Sequence, residues 1–247
     1  MDKALTFVCT VLRALRPHHW VKNLLVFAPL LAAQRWDEPA LWASAGLAFV
    51  AFSLCSSAVY LTNDLMDIND DRAHPVKRHR PLASGLLRPG PAIWVAVLLI
   101  VLASVLAATS GAGSVLALYV LGSLAYSGWL KTLRGVDLLA LVGLYSLRLL
   151  AGGQATGIPV SGWLLAYGGT VFASLALAKR SAELGDAVAG VLPLPKRRGY
   201  QVRDRAVLTV IGLIAALGSL VVLMLYGTDA QTKELYDRPA LDRKSVV

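Results

Sequence analysis

Charge is scarce in this 247-residue chain: Asp, Glu, Lys and Arg together make up 16% of it, against roughly 25% in an average soluble domain. Hydrophobic residues take 56%, and the mean hydropathy is +0.61. That balance excludes a soluble globular enzyme and a disordered chain. Cysteine is nearly absent, and Cys9 and Cys55, both in apolar surroundings, offer neither a disulfide framework nor metal-ligand spacing. No small-residue cleavage site follows a short apolar core, so the first spanning helix is expected to be its own insertion signal. Ser/His/Asp and Cys/His groupings are missing too, and His18, His19, His74 and His79 form no metal pattern.

What is present is a series of apolar blocks approaching the ~20 residues a helix needs to cross hydrocarbon. Seven spans are expected: 21–34, 41–61, 91–109, 114–130, 136–152, 163–178 and 206–226. The first is short and is expected to extend back into residues 16–20. With the N-terminus inside, residues 1–22, 64–90, 131–134 and 179–205 hold eighteen of the twenty-four Lys and Arg residues. The turns around Gly111 and Gly157 hold none. This is the positive-inside asymmetry, and it assigns the net charge of +9 to membrane orientation rather than to nucleic acid. The long loops, 64–90 and 179–205, fall on the inner side, so the working face is expected to be cytoplasmic, in a multi-pass protein of the cell (inner or plasma) membrane. Trp20, Trp94, Trp129 and Trp163 stand at span ends, where interfacial belting is the expectation.

The second span runs directly into Asn63-Asp64-Leu65-Met66-Asp67-Ile68-Asn69-Asp70-Asp71. On a continuous helix Asn63, Asp67 and Asp71 drift only about 80° over two turns, and Asp64 falls in the same stripe, about 12 Å long. Carboxylates that close repel unless a cation sits among them. Mg²⁺, a hard ion held by one or two carboxylates together with substrate phosphates, suits the set. A solvated acidic helix end is the alternative, but ionisable groups flush with a membrane span are costly and usually functional. The basic run Arg72, His74, Lys77, Arg78, His79, Arg80 and Arg88 follows at once, punctuated by Pro75, Pro81 and Gly85. It is either a lipid-anchoring charge cluster or, with the metal, a diphosphate site. The second reading points to a metal-assisted diphosphate leaving group, departing from a carbon that can bear positive charge.

Asn63-Asp64-x-x-Asp67-x-x-x-Asp71 followed by Arg80-Pro81-Leu82-x-x-Gly85 resembles the UbiA superfamily of intramembrane prenyltransferases. Further segments resemble its decaprenyl-phosphate phosphoribosyltransferase branch. These are Arg16-Pro17-His18-His19-Trp20-Val21-Lys22-Asn23, His74-Pro75-x-Lys77-Arg78-x-Arg80-Pro81, Tyr126-Ser127-x-x-Leu130-Lys131, Leu147-Arg148-x-x-Ala151-Gly152-Gly153 and Lys179-Arg180-x-x-Glu183-Leu184. The likeness runs from about residue 13 to 240. It implies an all-α integral membrane bundle around a central cavity, with nine spans where seven are read here. The loop after the sixth span offers Lys179, Arg180, Glu183, Asp186 and Asp204 without a clean second DxxxD, a departure from members acting on aromatic acceptors. The resemblance therefore implies Mg²⁺-dependent transfer of 5-phosphoribose from phosphoribosyl pyrophosphate to a polyprenyl (decaprenyl) phosphate. The lipid phosphate oxygen attacks C1 of the ribose and pyrophosphate leaves. A UbiA-type prenyltransferase with a polyprenyl diphosphate donor and a small acceptor is the rival; a transporter or inactive subunit is the second.

The roles divide as follows. Asn63, Asp67 and Asp71 are the metal candidates, and Asp64 is either a ligand or an orienter, so that Asp64, Asp67 and Asp71 form the catalytic set. Lys77, Arg78 and Arg80 are expected to bind donor phosphates. Lys22 holds a phosphate or merely anchors topology. Lys131 ligates a phosphate or snorkels, and Tyr126 faces the ribose. Arg148, about 16 Å along its helix from Asp137, has either a structural partner or a substrate contact. Lys179, Arg180 and Glu183 are expected to close over the donor, and Lys196, Arg197 and Arg198 to be surface charge. Residues 1–241 are expected to form one domain, truncated at its C-terminus, with self-association allowed. Residues 242–247, Asp-Arg-Lys-Ser-Val-Val, read as a non-native tail encoded by a common sequencing adapter.

Overall fold

The computed structural model describes residues 3–191 and 199–228, with side chains from residue 7 onward. The expectations for Lys196, Arg197, Arg198 and residues 242–247 lie outside the described residues. Among those described there is helix and turn but no strand. The chain forms two compact units, Met1–Val160 and Ser161–Val247.

The first unit contains α1 (Lys3–Leu15), a 3-10 segment (Pro17–Phe27), α2 (Ala28–Ala32), α3 (Pro39–Met66), α4 (Ile68–Ala73), α5 (Pro89–Thr109), α6 (Gly113–Gly128) and α7 (Val136–Thr156). Proline in the first turn opens both α3 and α5, where its fixed φ costs no hydrogen bond. At about 1.5 Å per residue, the 28 residues of α3 reach ~42 Å, beyond the ~30 Å of hydrocarbon. The excess carries Asn63 and Asp64 to the end of the span. α3 and α5 pair through buried small residues, Ala48, Ala51 and Cys55 on one helix and Ala103 and Ala107 on the other. Small side chains let helix backbones approach closely, which is how helices associate where lipid removes the hydrophobic drive. The opposite face of α5 exposes Ile93, Trp94, Val97, Leu98 and Val101. Large apolar residues point outward and small ones inward, as a lipid solvent requires.

Four of the described helices, α3, α5, α7 and the last helix with its 3-10 lead-in (Val202–Thr228), are long and apolar enough to cross a membrane; α6 is apolar but shorter. The expected first span at 21–34 is instead the eleven-residue 3-10 segment and the five-residue α2. Runs of 3-10 helix this long are uncommon and need outside support. Here Trp20 Nε1 donates to Ser57 Oγ at 2.9 Å, Asn23 Nδ2 donates to Ser53 Oγ at 3.1 Å, and Ser57 Oγ donates to the Leu15 carbonyl at 2.9 Å. Trp20 is thus a tether onto α3 rather than a belt residue; Trp94 and Trp129 do stay exposed, at 76% and 60%. On its other side the segment lies against α7. A Cβ on Gly152 would stand 1.9 Å from the Val26 carbonyl oxygen, and one on Gly153 would stand 2.4 Å from Val160 Cγ2. The Ala151-Gly152-Gly153 run exists because backbone meets backbone there.

In the second unit α8 (Gly162–Val188) pairs with α9 (Arg205–Thr228). Ser161 caps α8, its hydroxyl accepting from the Leu164 N–H at 3.1 Å. A Cβ on Gly212 would sit 3.2 Å from Leu177 Cβ, so the two helices lie close together there. α9 leaves Val210, Leu213, Leu217, Leu220 and Met224 exposed. The expected inner loop from residue 179 begins ten residues later than read. α8 runs through Gly185 and ends at Val188, just before Gly190 with its positive φ, so Lys179, Arg180 and Glu183 are helical.

Candidate active site

Asp64 occupies the last turn of α3 and is only 4% exposed; Asp71, on α4, is 3% exposed. The helix does not continue through both. α3 stops at Met66, Asp67 has non-helical backbone (φ −98°, ψ 13°), and α4 starts at Ile68. The Asp67 and Asp71 amides still donate to the Asn63 and Asp67 carbonyls, at 2.9 and 2.8 Å, so the break redirects the chain without unwinding it. The single straight stripe expected from spacing is corrected to two segments. The carboxylates are divided between two sets of cations.

Arg16, between α1 and the 3-10 segment, donates from Nη2 to both oxygens of Asp64, at 2.8 and 2.7 Å. Arg80 donates from Nη1 to Asp64 Oδ1 at 3.1 Å and to Asp71 Oδ2 at 2.6 Å. Two cations therefore match two buried carboxylates. The guanidinium of Arg16 also stands 5.3 Å from the ring centre of Tyr60. Asp67 turns toward the α6–α7 connection, where Lys131 Nζ lies 3.7 Å from its Oδ2, an ion pair looser than a hydrogen bond. Asn63 Oδ1 is buried with no hydrogen-bond partner among the described residues. An orphaned amide oxygen costs on the order of 1–3 kcal/mol and marks a place for a ligand.

The donor set fits Mg²⁺ in chemistry, being all oxygen with one amide carbonyl unspent. Among the described residues no three His, Cys, Asp or Glu side chains stand together as a ready metal cage. Beyond Asp71 the chain turns through the basic loop. Lys77 and Arg78 are exposed, while Arg72 Nε donates to the Ala83 carbonyl at 3.3 Å and so shapes the loop. His74 Nδ1 accepts from the Val76 and Lys77 amides at 3.2 and 3.3 Å. Desolvation first, and then the Lys77 charge, hold the His74 imidazole below its ordinary pKa.

Arg148 is 6% exposed, deep in α7, and every partner is neutral. Its Nε donates to Asn23 Oδ1 at 2.8 Å, its Nη1 to the Leu144 carbonyl at 2.5 Å and its Nη2 to Tyr119 Oη at 3.1 Å. These hydrogen bonds tie the 3-10 segment, through Asn23, to α7. Lys22 Nζ stands 5.9 Å from the Tyr145 ring that also faces Arg148. Tyr126 is half-buried near the end of α6. In the second unit Arg180 is 2% exposed and its Nη1 donates to Glu183 Oε2 at 2.5 Å, while Lys179 is exposed. Nothing in the sequence alone gives Arg16 or Asn23 a role. Both sit in the 16–23 motif, but their partners lie 48 and 125 residues away, beyond any local periodicity.

The family model described as "UbiA prenyltransferase family" matches residues 24–230. The chain is 39% identical over 219 residues to nodulation protein NoeC of Azorhizobium caulinodans, covering 88% of this chain and 71% of that protein. It is 37% identical over 240 residues to decaprenyl-phosphate phosphoribosyltransferase of Mycobacterium tuberculosis, covering 93% and 76%. A solved UbiA homolog from Archaeoglobus fulgidus, bound to GPP and Mg²⁺, superposes with a TM-score of 0.66 at 18% identity, covering 96% of this chain and 91% of that one.

Proposed function

The chain belongs to the UbiA prenyltransferase family of integral membrane transferases, and on that premise we propose that it moves 5-phosphoribose from phosphoribosyl pyrophosphate to a polyprenyl phosphate, with Mg²⁺ and release of pyrophosphate. The observation that carries this reading is the buried pair Asp64 and Asp71, at the end of a membrane span, held by Arg16 and Arg80 beside an exposed basic loop. The similarity to a phosphoribosyltransferase over 93% of the chain supports the choice of donor.

In this reading Asn63, Asp67 and Asp71 hold the metal, and Asp64 orients the guanidinia. Mg²⁺, when bound, neutralises charge on the departing diphosphate. Arg80 neutralises further phosphate oxygens, and Lys77 and Arg78, exposed on the adjoining loop, serve the 5-phosphate that a phosphoribosyl donor brings in addition. Lys131 lies at the rim beside Asp67 and contributes a further positive charge there. Lys22 and Tyr126 are the remaining contacts assigned to substrate in this unit. The acceptor phosphate is already anionic, so the site needs no general base to create its nucleophile. The lipid tail lies along the apolar surface of the bundle, and the phosphates stay at its cytoplasmic boundary.

The test is purified protein in detergent, with labelled phosphoribosyl pyrophosphate and polyprenyl phosphate. Labelled lipid is expected with Mg²⁺, none after chelation, and recovery on adding Mg²⁺ back. A parent protein that makes no labelled lipid with metal present overturns the proposal.

A further inference from the structure

We propose that α1 is an in-plane membrane helix, and that its free side rests on the anionic headgroups and upper acyl chains of the leaflet at the Asp64 end of α3. The inference stands on α1 and its neighbours and holds whichever substrates the protein uses.

α1 is 13 residues long, about 20 Å at the standard rise, too short for the ~30 Å of hydrocarbon. Nor is it the first stretch of a longer span. Arg16, immediately after it, has left-handed backbone (φ 51°, ψ 57°), so the chain turns before the 3-10 segment begins. Ser57 Oγ on α3 holds the joint through the Leu15 carbonyl at 2.9 Å.

The helix has three sides. At about 100° per residue, Val11, Ala14 and Leu15 fall within an arc of roughly 100°, and they pack with Leu61, Leu82, Leu87 and Ala92. Val8 and Leu12 come next around the helix, about 60° and 100° from Val11, and both are exposed, at 50% and 52%. Arg13, also exposed, stands about 160° from Val11 in the other sense, and exposed Cys9 is only about 40° from Arg13. A helix in water with one packed side has polar residues over the remainder. Here protein, hydrocarbon and water each have an arc, which is the division of a helix lying in the headgroup plane.

Its neighbours identify what covers the apolar arc. The cluster under α1 includes Ala92 and Ala96 in the first two turns of α5, a helix long and apolar enough to cross a membrane. On those same turns Ile93, Trp94 and Val97 are exposed, and Leu86, beside buried Leu87, is 63% exposed. α1 is therefore seated where a lipid-facing span begins. Charge then selects the headgroup. α1 contains Lys3 and Arg13 and no acidic residue, and exposed Arg88 adjoins Leu87. Basic residues flanking an apolar contact favour anionic lipid. A second copy packed α1 to α1 would meet the same cations with no carboxylate on the helix to offset them.

The experiment uses the full chain in phosphatidylcholine nanodiscs with and without phosphatidylglycerol, with Cys55 replaced by alanine. Nitroxides are placed singly at the natural Cys9 and, with Cys9 replaced by serine, at Val8→Cys and Leu12→Cys. Labels at 8 and 12 are expected to collide chiefly with dissolved oxygen, and the label at Cys9 chiefly with a water-soluble nickel chelate. Nickel access at all three positions places α1 in water and overturns the proposal. Loss of access to both reagents at 8 and 12 covers the helix with another chain and also overturns it. The headgroup is tested with bimane on Cys9 and brominated lipids. Brominated phosphatidylglycerol is expected to quench at lower mole fraction than brominated phosphatidylcholine, and added salt to narrow the difference. Arg13→Gln is expected to cut the preference about 5-fold, the weight of one basic residue at an anionic surface. Arg88→Gln serves should Arg13→Gln unfold on heating earlier than the parent. Equal quenching by the two lipids in the parent, or a preference unchanged in both variants, overturns the assignment of anionic headgroups.

Discussion

At the scale of single residues, the site is governed by which charges are covered and which are not. Asp64 and Asp71 are buried and neutralised by arginines, Asp67 pairs with Lys131 at 3.7 Å, and Asn63 Oδ1 is unspent among the described residues. The spacing of acidic residues after the second span was readable because a run of carboxylates against an apolar block has few innocent explanations. Their partners were not readable, since nothing local in residues 13–23 announces that Arg16 will meet Asp64. His74 yields a pH prediction at this scale. Its folded pKa is depressed, so the unfolded chain binds the extra proton and the loop's stability rises with pH. That stability is fully present above the ordinary histidine pKa of about 6.5 and is lost as pH falls through and below it. Protonation also removes the Nδ1 acceptor used by the Val76 and Lys77 amides. Amide hydrogen exchange across residues 74–80, corrected for intrinsic rates, is expected to quicken between pH 7.5 and 5.5, and a His74→Gln variant is expected to lose that dependence.

Elements were legible where composition alone decides them. The blocks 91–109 and 136–152 reappear within α5 and α7 with nearly the same starts, because uninterrupted apolar runs have one solution in lipid. Three departures have physical causes. The segment 17–27 is 3-10 because side chains of α3 and the bare backbone of α7 hold it there. α8 runs ten residues past its apolar block because charge ends a membrane span without ending a helix. The acidic stripe bends at Asp67. Gly152 is where the first of these departures is most open to test. With the Val26 carbonyl oxygen 1.9 Å from where a Cβ would stand, Gly152→Ala forces the 3-10 segment off α7. A loss of about 1–3 kcal/mol, the usual cost of overpacking, is expected in reversible unfolding, whereas Gly143→Ala, with open space at its Cβ, is expected to be near neutral.

At the largest scale, the exposed apolar residues of α5 and α9 and the uneven distribution of Lys and Arg along the sequence imply a fixed orientation in the bilayer. The proposed cytoplasmic face carries the loop 74–80, and the turn between α5 and α6 is on the other side. With Cys9 and Cys55 replaced, a cysteine introduced as Arg78→Cys is expected to react with a membrane-impermeant thiol reagent in inside-out vesicles only. One introduced as Thr109→Cys is expected to react in right-side-out vesicles only. The reverse pattern contradicts the assigned topology.

The central claim concerns which molecule brings the diphosphate. Purified protein with Mg²⁺ is offered phosphoribosyl pyrophosphate and a polyprenyl diphosphate together, with polyprenyl phosphate and an aromatic acceptor present, and the lipid products are identified by mass. Phosphoribosylated polyprenyl phosphate with equal release of pyrophosphate is the expected result; a prenylated acceptor with phosphoribosyl pyrophosphate left intact contradicts it.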